Sequence, residues 1–401
     1  MSNNIMTRNR PLRMLYIANG NGLSDGLGGS MVRTIEIAGR LATKGCKISF
    51  LTTTGGHKAS VRKGLKASFY VVRCSIFKKS ESTVIDRPFS YLISALSSVI
   101  RLVMVQRPDV IVTDSDYFCD VIPAAFARVA KKCVWVAMSH HIVGPPNQRK
   151  DILALIAYAL QLLSLNLIAT FADRALVYDT PDGRRVEDIL LSRGMAMSRI
   201  GRVNNGIDFD YIDKVPPHNR PSGCSNIGAV RLSKGLLDIV PIWRRVVNAM
   251  PDQQLTIVGN ISPENEKLLS SMIESSSLEG KIRLAGSKDH ASAIRLIKES
   301  KVFLSPSRQE GWGTAVCEAL ACGVPVVSWD IPTIKHLFGG AVQLVPVGDH
   351  ETFANRVIGA LKSQDTDHSL LQLTANKYSW SASAEKDLAE IGLALTNRRR
   401  S

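Results

Sequence analysis

The sequence lacks the cysteine pattern of a disulfide-bonded or zinc-binding protein. Its seven cysteines are scattered, odd in number and never spaced as Cys-x-x-Cys, whereas disulfide frameworks and structural zinc sites need paired or regularly spaced thiols. The opening residues, MSNNIMTRNRPLR, have no apolar core of the signal-peptide type and are expected to form a short disordered arm. Reduced thiols and a cytoplasmic location are therefore predicted.

Aromatic residues and the markers of common nucleotide folds are also scarce. Only 6% of the residues are aromatic, and no aromatic stripe is interleaved with basic residues as in binders of single-stranded nucleic acid. The glycines after the first predicted strand follow the spacing Gly20-x-Gly22-x-x-x-Gly26, one residue off the dinucleotide fingerprint. The second predicted strand, ISFLTTTGG, ends without an acid that could bind a ribose. The sequence argues against a nucleic-acid partner and against NAD.

Positive charge is what the chain has in excess, and nearly all of the excess lies in one half. The formal net charge is +15; residues 1–205 hold 28 Lys and Arg against 14 Asp and Glu, whereas residues 206–401 hold 22 against 21. A basic half-molecule favours an anionic partner, such as membrane phospholipid or a lipid pyrophosphate acceptor. A soluble basic surface without a partner is the alternative that the sequence leaves open.

Length and the alternation of apolar runs with helical patterns predict two α/β domains. A chain of 401 residues exceeds one ordinary core, and the turn-rich stretch from Asn204 to Pro221 marks the boundary. Each half is predicted to form a parallel, doubly wound sheet that binds its ligand at the carboxyl ends of the strands. The predicted strands are Leu12–Ala18, Lys47–Thr53, Ser68–Val72, Val110–Thr113, Cys133–Met138 and Ala175–Tyr178, then Ile227–Val230, Gln254–Val258, Lys281–Leu284, Val302–Leu304, Val324–Ser328 and Val342–Val345.

The segment VFLSPSRQEGWGTAVCEALACGVPVV, residues 302–327, carries the most functional information. Its apolar ends predict two strands, and a glycine-rich loop between them leads into a helix over Thr314–Cys322 that stops at Gly323. The N-terminus of a helix attracts a phosphate, whereas the carboxylates of Glu310 and Glu318 suit hydroxyl groups. The loop therefore predicts a ligand that carries both phosphates and sugars.

Glu310 and Glu318, eight positions apart around Gly-Trp-Gly, resemble the Glu-x7-Glu signature of the retaining glycosyltransferases of the GT-B fold, family 4 (group 1). The resemblance extends from about Pro11 to the end of the chain, through the further motifs Asn205-Gly206-Ile207-Asp208, Lys234-Gly235, LTIVG (Leu255–Gly259) and VPVGD (Val345–Asp349). It implies the GT-B fold, in which two doubly wound Rossmann-like domains face each other across a cleft. The implied domains are an acceptor-side domain over residues 1–205, completed by a C-terminal helix over residues 381–401, and a nucleotide-sugar domain over residues 206–380.

The resemblance also implies which residues hold the donor. Glu310 is expected to contact the donor sugar, and Glu318 the ribose hydroxyls. Further contacts to the sugar and the diphosphate are implied for the two glycine-rich loops and the helix start, at Gly28, Gly29, Gly311, Trp312, Gly313 and Thr314. For Gly28 and Gly29, a tight turn between a strand and a helix is the alternative.

Two cations and a histidine complete the implied catalytic set. Lys234 and Arg231 are expected to neutralise the leaving diphosphate; the family carries Gly-Arg five residues before its Lys-Gly, where this chain has Ala229 and places arginine two positions later. A histidine at the end of the strand CVWVAMS is expected to face the sugar. His141 is the candidate, with His140 as the alternative.

Two other patterns have structural explanations that we favour. Asp114-Ser115-Asp116 resembles the Asp-x-Asp of metal-dependent sugar transferases, but a loop at a strand end is the preferred interpretation, and no metal is predicted. The stretch Ile152–Ala172 has no charge over 21 residues and is interpreted as a buried or interfacial helix rather than a membrane span. Tyr91–Val105 is a weaker apolar stretch, broken by Arg101.

The predicted function is therefore metal-independent hexosyl transfer with retention, from a nucleotide diphosphate-sugar to an acceptor hydroxyl. No cofactor besides the donor substrate is expected. The acceptor is expected to be a glycan or a lipid-linked molecule at the cytosolic membrane face, with peripheral contact to an anionic membrane. A nucleotide-sugar epimerase of the same fold and a non-enzymatic basic module that binds nucleic acid are the alternatives.

Overall fold

The structure is a computed structural model in which two compact units are distinguished. It describes residues 10–20, 28–74, 86–140, 152–218, 221–363 and 365–400. Unit 1 comprises residues 1–205 and 380–401, and unit 2 comprises residues 206–379.

Unit 1 contains a parallel sheet of seven strands in the order β3-β2-β1-β4-β5-β6-β7. The strands are β1 (Arg13–Ala18), β2 (Lys47–Thr53), β3 (Ser68–Val72), β4 (Val110–Thr113), β5 (Val134–Ser139), β6 (Arg174–Tyr178) and β7 (Ile200–Val203). The helices are α1 (Gly29–Thr43), α2 (Thr54–Arg62), α3 (Asp86–Met104), α4 (Phe118–Ala130), α5 (Ile152–Phe171), α6 (Pro181–Ser192) and, from the C-terminus, α15 (Trp380–Arg400).

The central strands of unit 1 are apolar because helices cover both faces of the sheet. All residues of β4, β5 and β6 are buried, as expected for parallel strands covered on both sides. One face packs against α1 and α15, and the other against α3 to α6. The buried guanidinium of Arg33 on α1 donates to both carboxylate oxygens of Asp387 on α15, at 2.6 and 3.0 Å. This pair fixes the C-terminal helix on unit 1.

Unit 2 repeats the same winding with six parallel strands in the order β10-β9-β8-β11-β12-β13. The strands are β8 (Cys224–Ile227), β9 (Leu255–Val258), β10 (Ile282–Leu284), β11 (Val302–Ser305), β12 (Val326–Trp329) and β13 (Val342–Val345). The helices are α7 (Phe209–Lys214), α8 (Leu236–Ala249), α9 (Pro263–Ser275), α10 (His290–Glu299), α11 (Thr314–Ala321), α12 (Pro332–Phe338), α13 (His350–Lys362) and α14 (His368–Asn376). In each sheet the strand order reverses once, between β1 and β4 and between β8 and β11. Doubly wound sheets bind ligands beside such a reversal, at the carboxyl ends of the strands.

Most predicted strands agree with the structure to within two residues at each end, and two strands differ more. The strand predicted over Ile227–Val230 lies instead over Cys224–Ile227, because the chain leaves the sheet at Gly228, whose φ is +153°, and Val230 forms only an isolated bridge to Ile261. The edge strand Ile200–Val203 was not predicted, since its sequence IGRV is short and contains glycine and arginine.

The apolar stretch Ile152–Ala172 forms helix α5 as far as Phe171, and Leu165 and Ile168 on its inner face join the core. Leu155 and Leu163 on the same helix are about half exposed. Within the ranges described above, no helix combines the length and the apolar character that crossing a bilayer requires.

Candidate active site

The loops at the point where the strand order of unit 2 reverses bring Lys234 and Glu310 into contact. Lys234 ends a 3-10 turn, Leu232–Lys234, that follows β8, and Glu310 lies in the loop after β11. The Lys234 Nζ atom is 2.6 Å from Oε2 of Glu310, and both side chains are less than one quarter exposed. The two residues assigned to the leaving group and to the sugar therefore form one ion pair at the carboxyl edge of the sheet.

Backbone contacts hold these two loops together. The amides of Arg308 and Gln309 both donate to the carbonyl oxygen of Ser233, at 3.0 and 3.2 Å. Gly235 has a φ of +83°, and a Cβ atom at this position would lie 2.0 Å from the carbonyl oxygen of Pro306. Only glycine allows the two loops to pack this closely.

The helix that follows the Glu310 loop begins at a second glycine with a left-handed backbone. Gly313 has a φ of +90°, and a Cβ atom there would lie 2.7 Å from Cδ1 of Ile334. No side chain caps the N-terminus of α11, and Thr314 at its first position is exposed. The first amides of this helix can therefore donate to an anion.

Glu318 lies on α11, and its carboxylate meets a histidine. Oε1 of Glu318 is 3.0 Å from Nε2 of His290, at the first position of α10. The His290 ring in turn packs against Tyr211, with the ring centroids 5.8 Å apart. This contact could not be predicted from the sequence, because it joins two residues that lie 28 positions apart on different helices.

The remaining predicted donor residues of unit 2 lie around the same loop. Gly311 is exposed, with no atom within 4 Å of a Cβ built on it. Trp312 is buried and packs edge-on against Phe338 and Tyr378, and its indole nitrogen has no hydrogen-bond partner among the residues described. Trp312 can therefore present only its backbone to a ligand. Arg231 is exposed and forms no ion pair among the residues that the structure describes.

A buried carboxylate that sequence reasoning missed holds the Glu310 loop on α8. Asp238 accepts two hydrogen bonds from Arg308, at 2.7 and 2.6 Å, and lies 2.8 Å from Nε2 of His350. Burial alone would raise the pKa of Asp238, but the hydrogen bonds from Arg308 and His350 outweigh burial and lower it. An acid on the buried face of the apolar helix pattern LLDIVPIW is the one sequence signal that could have revealed this network.

In unit 1, the predicted glycines begin helix α1. Gly28 is the N-cap and Gly29 the first residue, and both are exposed, with no atom within 4 Å of an added Cβ. Neither glycine has a left-handed backbone, and no neighbour in the described ranges crowds either position. His141 lies outside the described residues.

The other histidine of that pair, His140, lies at the carboxyl edge of the unit 1 sheet between two neutral groups. Its Nε2 is 2.6 Å from the carbonyl oxygen of Asp114, and its Nδ1 is 3.2 Å from the hydroxyl of Tyr178. A neutral imidazole satisfies both contacts, by donating to the carbonyl and accepting from the hydroxyl. Burial lowers the pKa of His140, against the opposing effect of Asp114 and Asp116.

The Asp114-Ser115-Asp116 motif follows β4 as a loop, and its carboxylates are already hydrogen-bonded. Asp114 accepts from the hydroxyl of Thr34, and Asp116 accepts from the side-chain amide of Gln161 at 2.7 Å. Across the ranges that the structure describes, no group of three histidine, cysteine, aspartate or glutamate side chains is arranged to hold a metal ion.

A third buried acid at this edge should make stability depend on pH. Burial and then the neighbouring carboxylate of Asp114 raise the pKa of Asp120 to about 8. Above about pH 4 the folded state thus keeps a proton that the unfolded chain releases, so stability falls as pH rises toward 8. From pH 7 to pH 8 we expect a loss of about 1 kcal/mol in urea unfolding, absent in Asp120→Asn.

Asp182, in the first turn of α6 as Asp120 is in the first turn of α4, supplies a matched control for this prediction. Asp182→Asn should keep the pH slope of the unmodified chain. An equal slope in Asp120→Asn would show that Asp120 is ionised at neutral pH, contrary to the expectation from its burial.

Comparison with known proteins agrees with this fold. Residues 219–377 match the family described as glycosyl transferases group 1. Among solved structures, HepE from Anabaena in complex with UDP and glucose superposes with a TM-score of 0.70 at 16% identity, over 95% of this chain and 99% of that one. The chain thus has the GT-B fold, and its second unit is a glycosyl transferases group 1 domain. The glycosyltransferase predicted from Glu310 and Glu318 is confirmed at the level of family and fold.

Curated relatives match over shorter stretches. A GDP-mannose:cellobiosyl-diphosphopolyprenol alpha-mannosyltransferase from Xanthomonas campestris is 27% identical over 149 residues, 37% of this chain and 39% of that protein. A phosphatidyl-myo-inositol mannosyltransferase from Mycobacterium leprae is 26% identical over 217 residues, 49% of this chain and 55% of that protein. The matches therefore span about half, or less, of the length of these relatives.

Proposed function

We propose that the chain transfers a sugar from a nucleotide diphosphate-sugar to an acceptor hydroxyl with retention of the anomeric configuration and without a metal. The observation that carries the proposal is the ion pair between Lys234 and Glu310, at 2.6 Å, where the strand order of unit 2 reverses. This pair lies within the segment that matches the group 1 family.

The ion pair supplies the two kinds of contact that a nucleotide-sugar needs. When the donor binds, the Lys234 ammonium turns to its diphosphate, and the released Glu310 carboxylate accepts hydrogen bonds from sugar hydroxyls. The uncapped amides of α11 add donors for the same anion. As the bond to the sugar breaks, negative charge grows on the departing diphosphate, and these fixed donors stabilise it. The departing phosphate receives the acceptor proton, so no side chain has to act as a strong base.

Glu318 and His290 are assigned to the ribose. The Glu318 carboxylate is an acceptor suited to the two ribose hydroxyls, and the exposed His290 ring lies beside it at 3.0 Å. Base contacts are assigned to the segment Arg283–Ser287, which begins in β10 and continues beyond the carboxyl end of that strand.

The acceptor that we propose is lipid-linked and lies at the cytoplasmic face of a membrane. The two curated relatives support this assignment, since their names specify a diphosphopolyprenol and a phosphatidylinositol as acceptors. The excess of 28 Lys and Arg over 14 Asp and Glu in residues 1–205 is consistent with an anionic acceptor of this kind.

A panel of donors tests the proposal. UDP-, GDP- and ADP-sugars, GDP-mannose among them, are expected to differ. One of them should stabilise the folded chain by mass action, by about 2.7 kcal/mol at one hundred times Kd, and so raise its Tm. With that donor and a polyprenyl-diphosphate glycan, NMR of the product should show the anomeric configuration of the donor. Stabilisation by no member of the panel, or an inverted product, would refute the proposal. Nucleotide release without any acceptor would indicate hydrolysis or epimerisation instead.

A further inference from the structure

Three neighbouring helices of unit 1 have apolar outer faces. Of the 21 large apolar side chains that are exposed in the described part of the chain, eleven lie on α3, α4 and α5: Leu92, Leu96, Ile100, Val103, Met104, Phe126, Val129, Leu155, Ile156, Leu163 and Phe171. Such a concentration is unusual for a water-facing surface, where single exposed apolar residues are the norm.

The eleven residues lie on neighbouring helices, and we call them together the apolar face. The helices α3, α4 and α5 lie side by side, and their inner sides are buried in one core cluster with Leu102, Val121 and Leu165. The exposed residues are on the opposite sides. On α3, Leu92, Leu96, Ile100 and Val103 follow the i, i+4, i+8, i+11 spacing of a single helical stripe.

A basic pocket adjoins the apolar face at the C-terminal ends of α3 and α4. It has a volume of about 390 Å³ and lies at the amino ends of β1, β4 and β5. Five cationic side chains and one acid line it: Arg10, Arg13, Arg107, Lys132, Arg398 and Asp109. The Asp109 carboxylate already accepts from the side chain of Arg10 and the amide of Arg13. The pocket therefore carries a large excess of positive charge.

Hydrogen bonds connect residues of the pocket to the ends of the helices that carry the apolar face. Lys131 donates to the carbonyl oxygen of Val105 at 2.8 Å, and Arg107 donates to the carbonyl oxygen of Lys132 at 3.1 Å. These bonds join the end of α3 to the end of α4. Val103 lies four residues before Arg107, and Val129 lies three residues before Lys132.

Lys132 has a backbone conformation that normally selects glycine. Its φ is +50°, one of two positive values among the non-glycine residues that the structure describes. Glycine is common after a helix end in this conformation, because it adopts it without steric cost. A lysine at this position keeps a cation at the rim of the pocket at some expense in backbone energy.

We propose that the apolar face and the basic pocket together dock on an anionic bilayer. The apolar side chains enter the interfacial region, while the pocket receives the phosphate of an acidic headgroup. The three helices hold two acids: Asp120, which is buried, and Asp86, at the first position of α3 and therefore at the opposite end of that helix from the pocket. A second copy of the chain fits this surface less well, because a symmetric dimer would bring two basic surfaces together. This inference rests on the proposed function, because the docking surface would serve to hold the enzyme beside a lipid-linked acceptor.

Vesicle flotation at 0.1 M salt tests the inference, without donor or acceptor. The full chain should float with vesicles of phosphatidylglycerol and phosphatidylcholine and remain unbound with phosphatidylcholine alone. Arg107→Ser and Lys132→Gly should each weaken binding about fivefold, the effect of about 1 kcal/mol per cation. Ile100→Ser and Val103→Ser should weaken it as well. Lys132→Gly should also leave the Tm unchanged or higher, which separates lost binding from lost folding.

Matched controls come from unit 2, where Lys267 and Leu373 are exposed. Lys267→Ser and Leu373→Ser should bind vesicles as the unmodified chain does. Absence of binding to the anionic vesicles, or equal loss in the controls, would overturn the inference. The inference would also be overturned if light scattering showed a dimer that does not bind vesicles and that Val103→Ser dissociates. The donor panel is a separate readout. If the chain does not float with anionic vesicles but is still stabilised by a donor, the docking surface is refuted and the proposed function is not.

Discussion

Lys234→Ala is expected to lower kcat/KM for sugar transfer by about 10²- to 10³-fold, the effect of removing one fixed donor from a developing anion. The variant loses the ammonium that balances the leaving diphosphate and leaves the partly buried Glu310 carboxylate without its 2.6 Å partner. Initial rates with the donor chosen by the thermal panel give the measurement. Because the charge develops mainly in the transition state, kcat should fall more than KM rises.

The exposed ion pair of Lys44 with Glu385, at 3.1 Å, provides the control. Lys44→Ala breaks an ion pair in unit 1 by the same substitution and should keep the transfer rate within a factor of two of that of the unmodified chain. Glu310→Ala should be as damaging as Lys234→Ala, and the double variant should lose less than the product of the two single losses, since both residues act on one ligand. Full activity of Lys234→Ala would remove Lys234 from the mechanism.

Gly235→Ala is expected to destabilise unit 2 by about 3 kcal/mol and to abolish donor binding under conditions where the chain still folds. An alanine there needs a left-handed backbone, at φ +83°, and its Cβ would meet the carbonyl oxygen of Pro306 at 2.0 Å. Relief of the clash separates the turn that carries Lys234 from the loop that carries Glu310. Urea unfolding and the donor-induced rise in Tm measure the two effects.

Gly348→Ala separates backbone strain from the clash between the loops. Gly348 has a φ of +89° but no atom within 4 Å of an added Cβ. The substitution should cost about 1 kcal/mol and leave donor binding intact. If Gly235→Ala and Gly348→Ala had the same small effect, the close packing of the two loops would not matter for the site.

Most strands could be predicted because parallel strands buried on both faces read as short apolar runs. Lys47–Thr53, Ser68–Val72, Val110–Thr113 and Val342–Val345 have the predicted bounds. The strand prediction failed at two places where the apolar pattern does not match the strand: next to the Lys234 turn and at the edge strand β7. The apolar Val230 suggested a longer strand, but the chain leaves the sheet at Gly228 to form the Lys234 turn. At β7, Gly201 weakens the strand signal; a Cβ there would lie 2.2 Å from Oε2 of Glu390, at the end of a side chain that pairs with Arg174.

The site residues could be named from their motif, but their partners could not. The spacing of Glu310 and Glu318 says nothing about Lys234 or His290, because those contacts depend on how loops from separate strands meet at one edge. Asp238 was overlooked for a related reason, since the side chains that satisfy it, Arg308 and His350, lie 70 and 112 residues away. Where His141 lies is not described by the structure, so its assignment remains a prediction from the resemblance.

Photo-crosslinking with an azido-base analogue of the stabilising donor tests the central claim most directly, because it locates the nucleotide without relying on turnover. Peptide mapping after irradiation should find the label in the segments that end the strands of unit 2, at residues 228–235, 283–290 or 305–318, and excess unlabelled donor should suppress it. Labelling confined to unit 1, with none in those three segments, would contradict the placement of the donor beside Lys234, Glu310 and Glu318.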